Sequence, residues 1–577
     1  MKIFFRVGFI SYFLLILGNF LTGDLVGQPP HDMNRFNWTY PVKHPLRLSG
    51  TFGELRNNHF HTGIDIKSSS GTTGDPVYTV EDGLIARMNV SSVGYGKVLF
   101  IHHPYHGITT TYAHLDRFTP RLDSILLQRQ YAERQYEVAL KFPMPGLPVK
   151  KGDLIGYMGS TGNSSGPHLH FEVRDDSSGI AINPLYFQRP VYDENVPVLR
   201  SIRVYYLDAH HRPYKWIDVG RNELKSNASD TLIIPSWRIG FGVETFDPHN
   251  DGYNKNGIYR LALNENGQDV FVFSMDSLRF SESNYLNAHI DFNEFQSSGR
   301  MIHKTFLQPG NMLSMYRPNI GSGVISIHRQ VPKKVELTVS DFNGNTQHQT
   351  IWVKRAENVI PPADLIYHYH LSWDKRNVIH RNDITLDFPP GSLYENLYLF
   401  FKENPALPGK TLSKVYSIHN PGVAIHKAFQ LTISAPQNLI KDRQKIVIGR
   451  ISKEGAVHAF KTAISDSTCS AKVSRLGDYA IFIDTLGPGI TPLSENVYSS
   501  GFRFHYKVVD NFSRADGPDF TYEANLDKEW TLAEFDKKSG RLEIKRNNII
   551  SGEHSIELIV TDMVGNKTTY KKKFRIQ

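Results

Sequence analysis

Along residues 46–190 apolar side chains recur at every second position in short runs, and glycines part the runs. Gly53, Gly71, Gly74, Gly83, Gly94, Gly96, Gly152, Gly156, Gly159 and Gly162 mark the breaks. Alternation cut by such turns predicts an antiparallel β domain. Its clearest strand is GPHLHFEVR at 166–174. Leu169, Phe171 and Val173 point to one face, while His168, His170, Glu172 and Arg174 point to the other. One segment departs from the pattern. Residues 122–140 (LDSILLQRQYAERQYEVAL) lack Gly and Pro, and Leu122, Ile125, Leu126, Arg129, Ala132, Tyr136 and Leu140 are spaced as a helix face. The sequence Phe142-Pro-Met-Pro-Gly then stops it.

Strand signals continue to the end of the chain. Region 191–355 closes on VELTVSDFNGN (335–345), and region 487–577 closes on IELIVTDMVGN (556–566) followed by one more alternating run. The shared Asp-x-x-Gly-Asn turn is an internal repeat and predicts two immunoglobulin-like β-sandwiches. Residues 356–486 between them read as a further β-rich domain, with Pro361-Pro362 and Gly487-Pro-Gly489 as linkers. The stretch Asp247-Pro-His-Asn-Asp-Gly252 lacks the spaced carboxylates and closing Glu of a calcium loop and reads as a turn. At the start, Lys2 and Arg6 precede the apolar run 7–21, which predicts an export signal over 1–27. That run is shorter than the ~20 residues a membrane span needs. A polar lead-in, 28–45, follows, and the domain predicted over 46–190 comes next.

Composition narrows the class. At 577 residues the chain exceeds a single core, given ~150 residues per domain. Hydrophobic content of 40% and charged content of 21% are those of globular material, and the aromatic and β-branched runs predict a mainly β fold. Net charge is +8, yet no basic cluster with interleaved aromatics argues for nucleic acid. A mild positive balance suits an anionic envelope polymer. Cys469 is the one cysteine, which excludes an intrachain disulfide and a closed thiolate metal site.

Candidate chemistry gathers in the first domain. His61-Thr-Gly-Ile-Asp65 adds a second cluster to the His168–His170 strand, and Thr111-Tyr-Ala-His-Leu115 adds His114. Same-face strand neighbours lie ~6–7 Å apart, so one imidazole of the pair can hold a metal while the other reaches a reactant. His61, Asp65 and His170 form a two-His, one-carboxylate set without a fourth protein ligand in evidence. An open coordination position is the mark of a catalytic site.

Leu48 to Tyr186 resembles the lysostaphin/LytM-type zinc endopeptidases of peptidoglycan. The stretches that carry the resemblance are GTFGELRNNHFHTGIDI (50–66), GKVLFIHHPYHGITTTYAHL (96–115), VKKGDLIGYMGSTGNSSGPHLHFEVR (149–174) and Asn183-Pro-Leu-Tyr186. They span about a quarter of the chain. The resemblance implies one zinc ion per chain held by His61, Asp65 and His170, with His114 and His168 as non-ligand catalytic histidines. It further implies peptidoglycan as substrate and hydrolysis of its peptide bonds by activated water. Which of His114 and His168 is the base stays open; the place of His168 beside His170 on one strand favours His168. Glu172, on the same strand face, reads either as a carboxylate that orients a histidine or as a surface partner of Arg174. The insertion after His114 is longer than in the simplest members and bears on how open the groove is.

Three other readings compete. A two-His, one-carboxylate set also serves non-haem iron oxygenases, against which stand the two extra histidines and the predicted export to periplasm, envelope or exterior. Some relatives have lost ligands and act as non-catalytic activators or scaffolds for other wall hydrolases, whereas all five site residues are present here. Last, the C-terminal β modules suit wall anchoring or envelope-protein partners, and fold alone does not choose among these.

Overall fold

The computed structural model describes residues 37–577, except 144, 188–190, 221–230, 250–253, 318–319, 436–441, 466 and 516. The export segment 1–27 and the first part of the lead-in lie outside the described residues. The later part packs down: Val42 is buried, and Trp38 stacks on Phe187 with ring centroids 4.7 Å apart.

The alternating runs of the first region become β1 (Leu48–Gly50), β2 (Ile64–Lys67), β3 (Pro76–Tyr78), β4 (Gly83–Val90), β5 (Lys97–His103) and β6 (Ile108–Phe118). After helix α1 (Pro120–Glu133) come β7 (Val138–Lys141), β8 (Leu147–Val149), β9 (Leu154–Met158), β10 (His168–Asp175) and β11 (Ala181–Ile182). The main sheet has the order β1-β2-β10-β6-β5-β4-β7. β10 therefore lies between β2 and β6, antiparallel to both. Leu169, Phe171 and Val173 are fully buried, as their alternation predicts, against Ile64, Ile66, Tyr112 and Leu115. Burying each such side chain contributes about 1.5–3 kcal/mol. On the opposite face the middle of β10 is buried too, under Tyr95 and His61: His170 is 5% and Glu172 0% exposed, while His168 and Arg174 are half-buried.

The helix predicted over 122–140 is shorter than its spacing implied. α1 ends at Glu133, with Arg134 in the left-handed conformation (φ 51°), and Val138–Lys141 instead pairs with β4. Val138 and Leu140 point inward and Ala139 and Lys141 outward, so this stretch satisfies a strand pattern as well as a helical one. The free edge of β4 decides between them. Inward on α1 lie Leu122, Leu126 and Gln130, whose side-chain amide donates to the Tyr136 carbonyl (2.8 Å) and ties helix to strand.

The remaining chain is mainly β, in paired sheets. Two five-stranded sheets, one built on Val198–Leu207 and Arg238–Phe246 and the other on Lys333–Ser340 and Thr346–Arg355, enclose a second core. Residues 369–484 hold a third, and two four-stranded sheets around Gly501–Val509 and Gly552–Asp562 hold a fourth. Among the described residues no helix is long and apolar enough to cross a membrane.

The first region contributes side chains to the second core. Phe52, Phe60 and Ala181 belong to the second core although they come from the first region. β11 pairs with Ser277–Leu278, the Thr51 hydroxyl donates to the Gly257 carbonyl (3.0 Å), and the Asn183 amide donates to the Met275 carbonyl (3.1 Å).

Candidate metal centre

Strand register brings the two distant clusters together. β10 pairs with β2 so that His170 stands opposite Asp65, and with β6 so that His170 stands opposite Ala113, next to His114. His61 enters from the turn before β2. His61 Nε2 is 3.0 Å from Asp65 Oδ1 and 2.9 Å from His170 Nδ1, and His170 Nδ1 is 2.9 Å from Asp65 Oδ1. All three residues are buried.

The other nitrogen of each ring is committed. His61 Nδ1 donates to the Thr51 carbonyl (2.7 Å), and His170 Nε2 donates to Glu172 Oε1 (2.8 Å). Two nitrogen lone pairs and a carboxylate oxygen therefore face one point. Neutral imidazoles so oriented repel unless a cation or shared proton sits among them. Burial opposes charge on His170, yet Asp65 and Glu172 outweigh it and push its pKa up to about 9. Burial keeps His61 below the usual imidazole range. Burial alone raises Asp65, but the His61 charge and the bonds from His168 and His170 hold it well below the usual carboxylate range. These donors fit a borderline-soft divalent metal, which draws imidazole nitrogen and carboxylate oxygen alike.

A ring of supports fixes the donors. Arg56 Nη2 donates to Asp65 Oδ2 (2.7 Å), which leaves Oδ1 for the centre. Glu172 accepts from Tyr95 Oη (2.6 Å) and pairs with Arg174, but it is 0% exposed, so the surface reading of it is corrected: the carboxylate is buried against His170. Despite full burial, the Arg174 and His170 charges keep Glu172 ionised, far below its ordinary range. Tyr95, Thr51 and Arg56 carry no sequence signal beyond their nearness to Gly94, Gly96 and the His61 turn.

Gly63 sets the approach of β2 to β10. A Cβ there would lie 2.4 Å from the Phe171 carbonyl oxygen and 2.8 Å from Glu172 Cγ. Gly63→Ala is expected to force β2 off β10, destabilise the fold by about 1–3 kcal/mol, and weaken metal binding with it. Thermal unfolding with and without added metal measures both. Unchanged melting would show that β2 shifts freely.

The two remaining histidines stand beside the donor set. His168 Nδ1 donates to the Gly166 carbonyl (2.8 Å), and its Nε2 lies 3.4 Å from Asp65 Oδ1. His114 Nδ1 donates to the Thr161 carbonyl (2.8 Å), and its ring centroid is 4.8 Å from that of His168 and 5.7 Å from that of His170. Burial and the neighbouring His170 and His168 charges push the His114 pKa down to about 3. His114 has φ 61°, a left-handed backbone that costs an ordinary residue about 1–2 kcal/mol. Loop 160–166, which supplies both carbonyls, is itself held from far along the chain. Lys538 Nζ donates to the Ser160 carbonyl (3.2 Å) and to that of Ser164. The same C-terminal module reaches α1, where Trp530 meets Tyr131 edge-on at 5.0 Å and Arg546 donates to the Tyr131 hydroxyl.

Comparisons with known proteins match the same stretch of the chain. The model of peptidase family M23 matches residues 59–131 and 127–184, and that of the Zu5-like domain matches residues 368–484. DD-carboxypeptidase/endopeptidase Mpg of Neisseria meningitidis is 33% identical over 149 residues, which are 25% of this chain and 27% of that protein. Peptidoglycan DD-endopeptidase ShyA of Vibrio cholerae is 29% identical over 143 residues, 23% of this chain and 26% of its own. The chain thus spans about a quarter of the length of these relatives. Among solved structures, the catalytic domain of lysostaphin from Staphylococcus simulans is similar over 27% of this chain and 93% of its own, at 25% identity and a TM-score of 0.17.

Proposed function

We propose, for a chain that carries a peptidase family M23 domain, the activity of an exported zinc-dependent endopeptidase that hydrolyses peptide bonds in peptidoglycan stems or cross-links. The observation that carries this reading is the convergence of His61 Nε2, Asp65 Oδ1 and His170 Nδ1 on one point, with every other ring N–H engaged elsewhere. These residues would hold the ion. When bound, zinc supplies a Lewis acid that lowers the pKa of water from ~15.7 toward ~7 and polarises a carbonyl.

The protein's own groups then divide the proton work. His114 is neutral, and its Nδ1 proton is spent on the Thr161 carbonyl, so Nε2 is a lone-pair acceptor. That is the form a general base needs, and such a base is worth ~10²–10⁴-fold. His168 Nδ1 is likewise spent on the Gly166 carbonyl, so donation from its Nε2 to a developing oxyanion takes the imidazolium form, which the Asp65 carboxylate 3.4 Å from Nε2 favours. The hydrogen bonds thus support His114 as base, the reverse of the preference drawn from the strand neighbourhood of His168 and His170. The complete five-residue set supports catalysis over the non-catalytic activator alternative. Export to the envelope rests on the charged and apolar pattern of residues 1–27.

The test is digestion of purified sacculi by zinc-loaded protein, with the released muropeptides read by mass spectrometry. D,D bonds, the class named for the Neisseria and Vibrio relatives, come first. Cleaved peptides are expected, their release stopped by a chelator and restored by zinc. Intact cross-links after prolonged digestion with a metal-loaded site would refute the reading.

A further inference from the structure

The internal repeat has a chemical counterpart. In both Asp-x-x-Gly-Asn turns the Asn binds back onto the Asp: Asn345 Nδ2 donates to Asp341 Oδ2 and Asn566 Nδ2 to Asp562 Oδ2, each at 2.7 Å. The same amides donate to the backbone carbonyls of Asp193 (3.0 Å) and Asp484 (2.9 Å), where the chain enters each module. A third aspartate closes each group from the end of an adjacent strand: Asp247 after Arg238–Phe246, and Asp510 after Gly501–Val509. The three positions are equivalent in the two modules.

Ligand atoms of Asp484, Asp510 and Asp562 lie within 4.8 Å of one another, as do those of Asp193, Asp247 and His249. Asp341 lines the same cavity, of about 20 Å³, as Asp193 and Asp247. That volume suits one water-sized body. Asp247 is 1% exposed, and its Oδ1 has no hydrogen-bond partner among the described residues; the same holds for Oδ2 of Asp484, also 1% exposed. Asp193 Oδ2 and Asp510 Oδ2 are likewise buried without a hydrogen-bond partner. No Lys or Arg ion-pairs with any of the six aspartates among the described residues; His249 stands 3.4 Å from Asp247 and 3.7 Å from Asp193. Buried carboxylates stacked this way are costly unless a cation neutralises them.

We propose that each trio is a calcium site, one ion held by Asp193, Asp247 and Asp341 and a second by Asp484, Asp510 and Asp562. The donors are chiefly carboxylate oxygens, which select a hard cation; the His249 imidazole stands beside the first trio, and the second offers none to favour zinc. Burial and neighbouring carboxylates push Asp247 up to about 8 and Asp510 up to about 7, as expected of trios built around a positive charge. Neither trio is legible as a loop motif, because its members come from separate parts of the chain. The Asp247–Gly252 stretch, read as a turn, supplies one carboxylate and not a whole site. The first ion also lies against Thr51 and Phe52, so it braces the segment whose carbonyl orients His61.

Equilibrium dialysis of the full-length, zinc-loaded protein against radioactive calcium tests this. Extracellular calcium modules bind at roughly 10⁻⁴–10⁻³ M, so dialysis at about 10⁻² M fills both sites. Two calcium ions per chain are expected, falling to one in Asp247→Asn, one in Asp510→Asn and none in the double variant. Calcium should raise the melting temperature of the wild type and leave that of the double variant unmoved. The Asn variants lose a repelling charge and therefore fold without the ion. No bound calcium in the wild type, or two ions retained in the double variant, overturns the proposal. A count of one, lost in a single variant, overturns the other site.

Discussion

His170→Ala protein is expected to release no muropeptides above background and to lose its zinc in the same step. His170 Nδ1 lies 2.9 Å from each of the other two donor atoms. Its removal leaves a single imidazole and one carboxylate oxygen. The fall in zinc affinity should exceed the ~10–100-fold typical of losing an outer support. The fold should survive, because Arg174, Tyr95 and Thr62 still satisfy Glu172. The expected loss of stability is that of one charged hydrogen bond, about 1.5–3 kcal/mol. Metal analysis, sacculus digestion and thermal unfolding of one preparation separate these effects. A His170→Ala protein that digests sacculi at the wild-type rate would falsify the assignment of the centre.

The second large effect belongs to His114 and His168, the two histidines outside the donor set. His114→Ala should lower kcat by ~10²–10⁴-fold, and His168→Ala by ~10²–10³-fold, with zinc content unchanged in both. Retained metal with lost turnover sets these variants apart from His170→Ala. The pH profile sets them apart from each other. A general base must be unprotonated, so it produces the acid limb of kcat/KM. The limb set by His114, near pH 3 by its depressed pKa, should vanish in His114→Ala and persist in His168→Ala. The opposite pattern would return the base to His168.

Much of the centre was legible in the sequence because its parts are local. His61 and Asp65 are four residues apart, His168 and His170 share one strand face, and alternation separates that face from Leu169, Phe171 and Val173. What alternation does not carry is the partner of each strand. The pairing of β10 with β2, across 105 residues from Asp65 to His170, comes from tertiary packing. Backbone carbonyls were invisible for another reason. Thr51, Thr161 and Gly166 act through atoms that every residue has, so nothing in their side chains announces the role. The overlong helix failed where residues 138–141 fit both periods and a free sheet edge settled the choice. The two Asp-x-x-Gly-Asn turns were visible as a repeat, but their companions Asp193, Asp247, Asp484 and Asp510 sit in dissimilar surroundings.

Phe52 and Phe60 bracket the segment that presents His61, and both are rooted in the core of the following module. The peptidase is therefore not a cassette that can be excised at residue 190 and grafted elsewhere. Such a cut would strip β11 of the strand Ser277–Leu278 and wet two aromatic anchors, Phe52 and Phe60, of the segment that follows Thr51. Any transplant of the metal centre would have to retain the second module as part of the working unit.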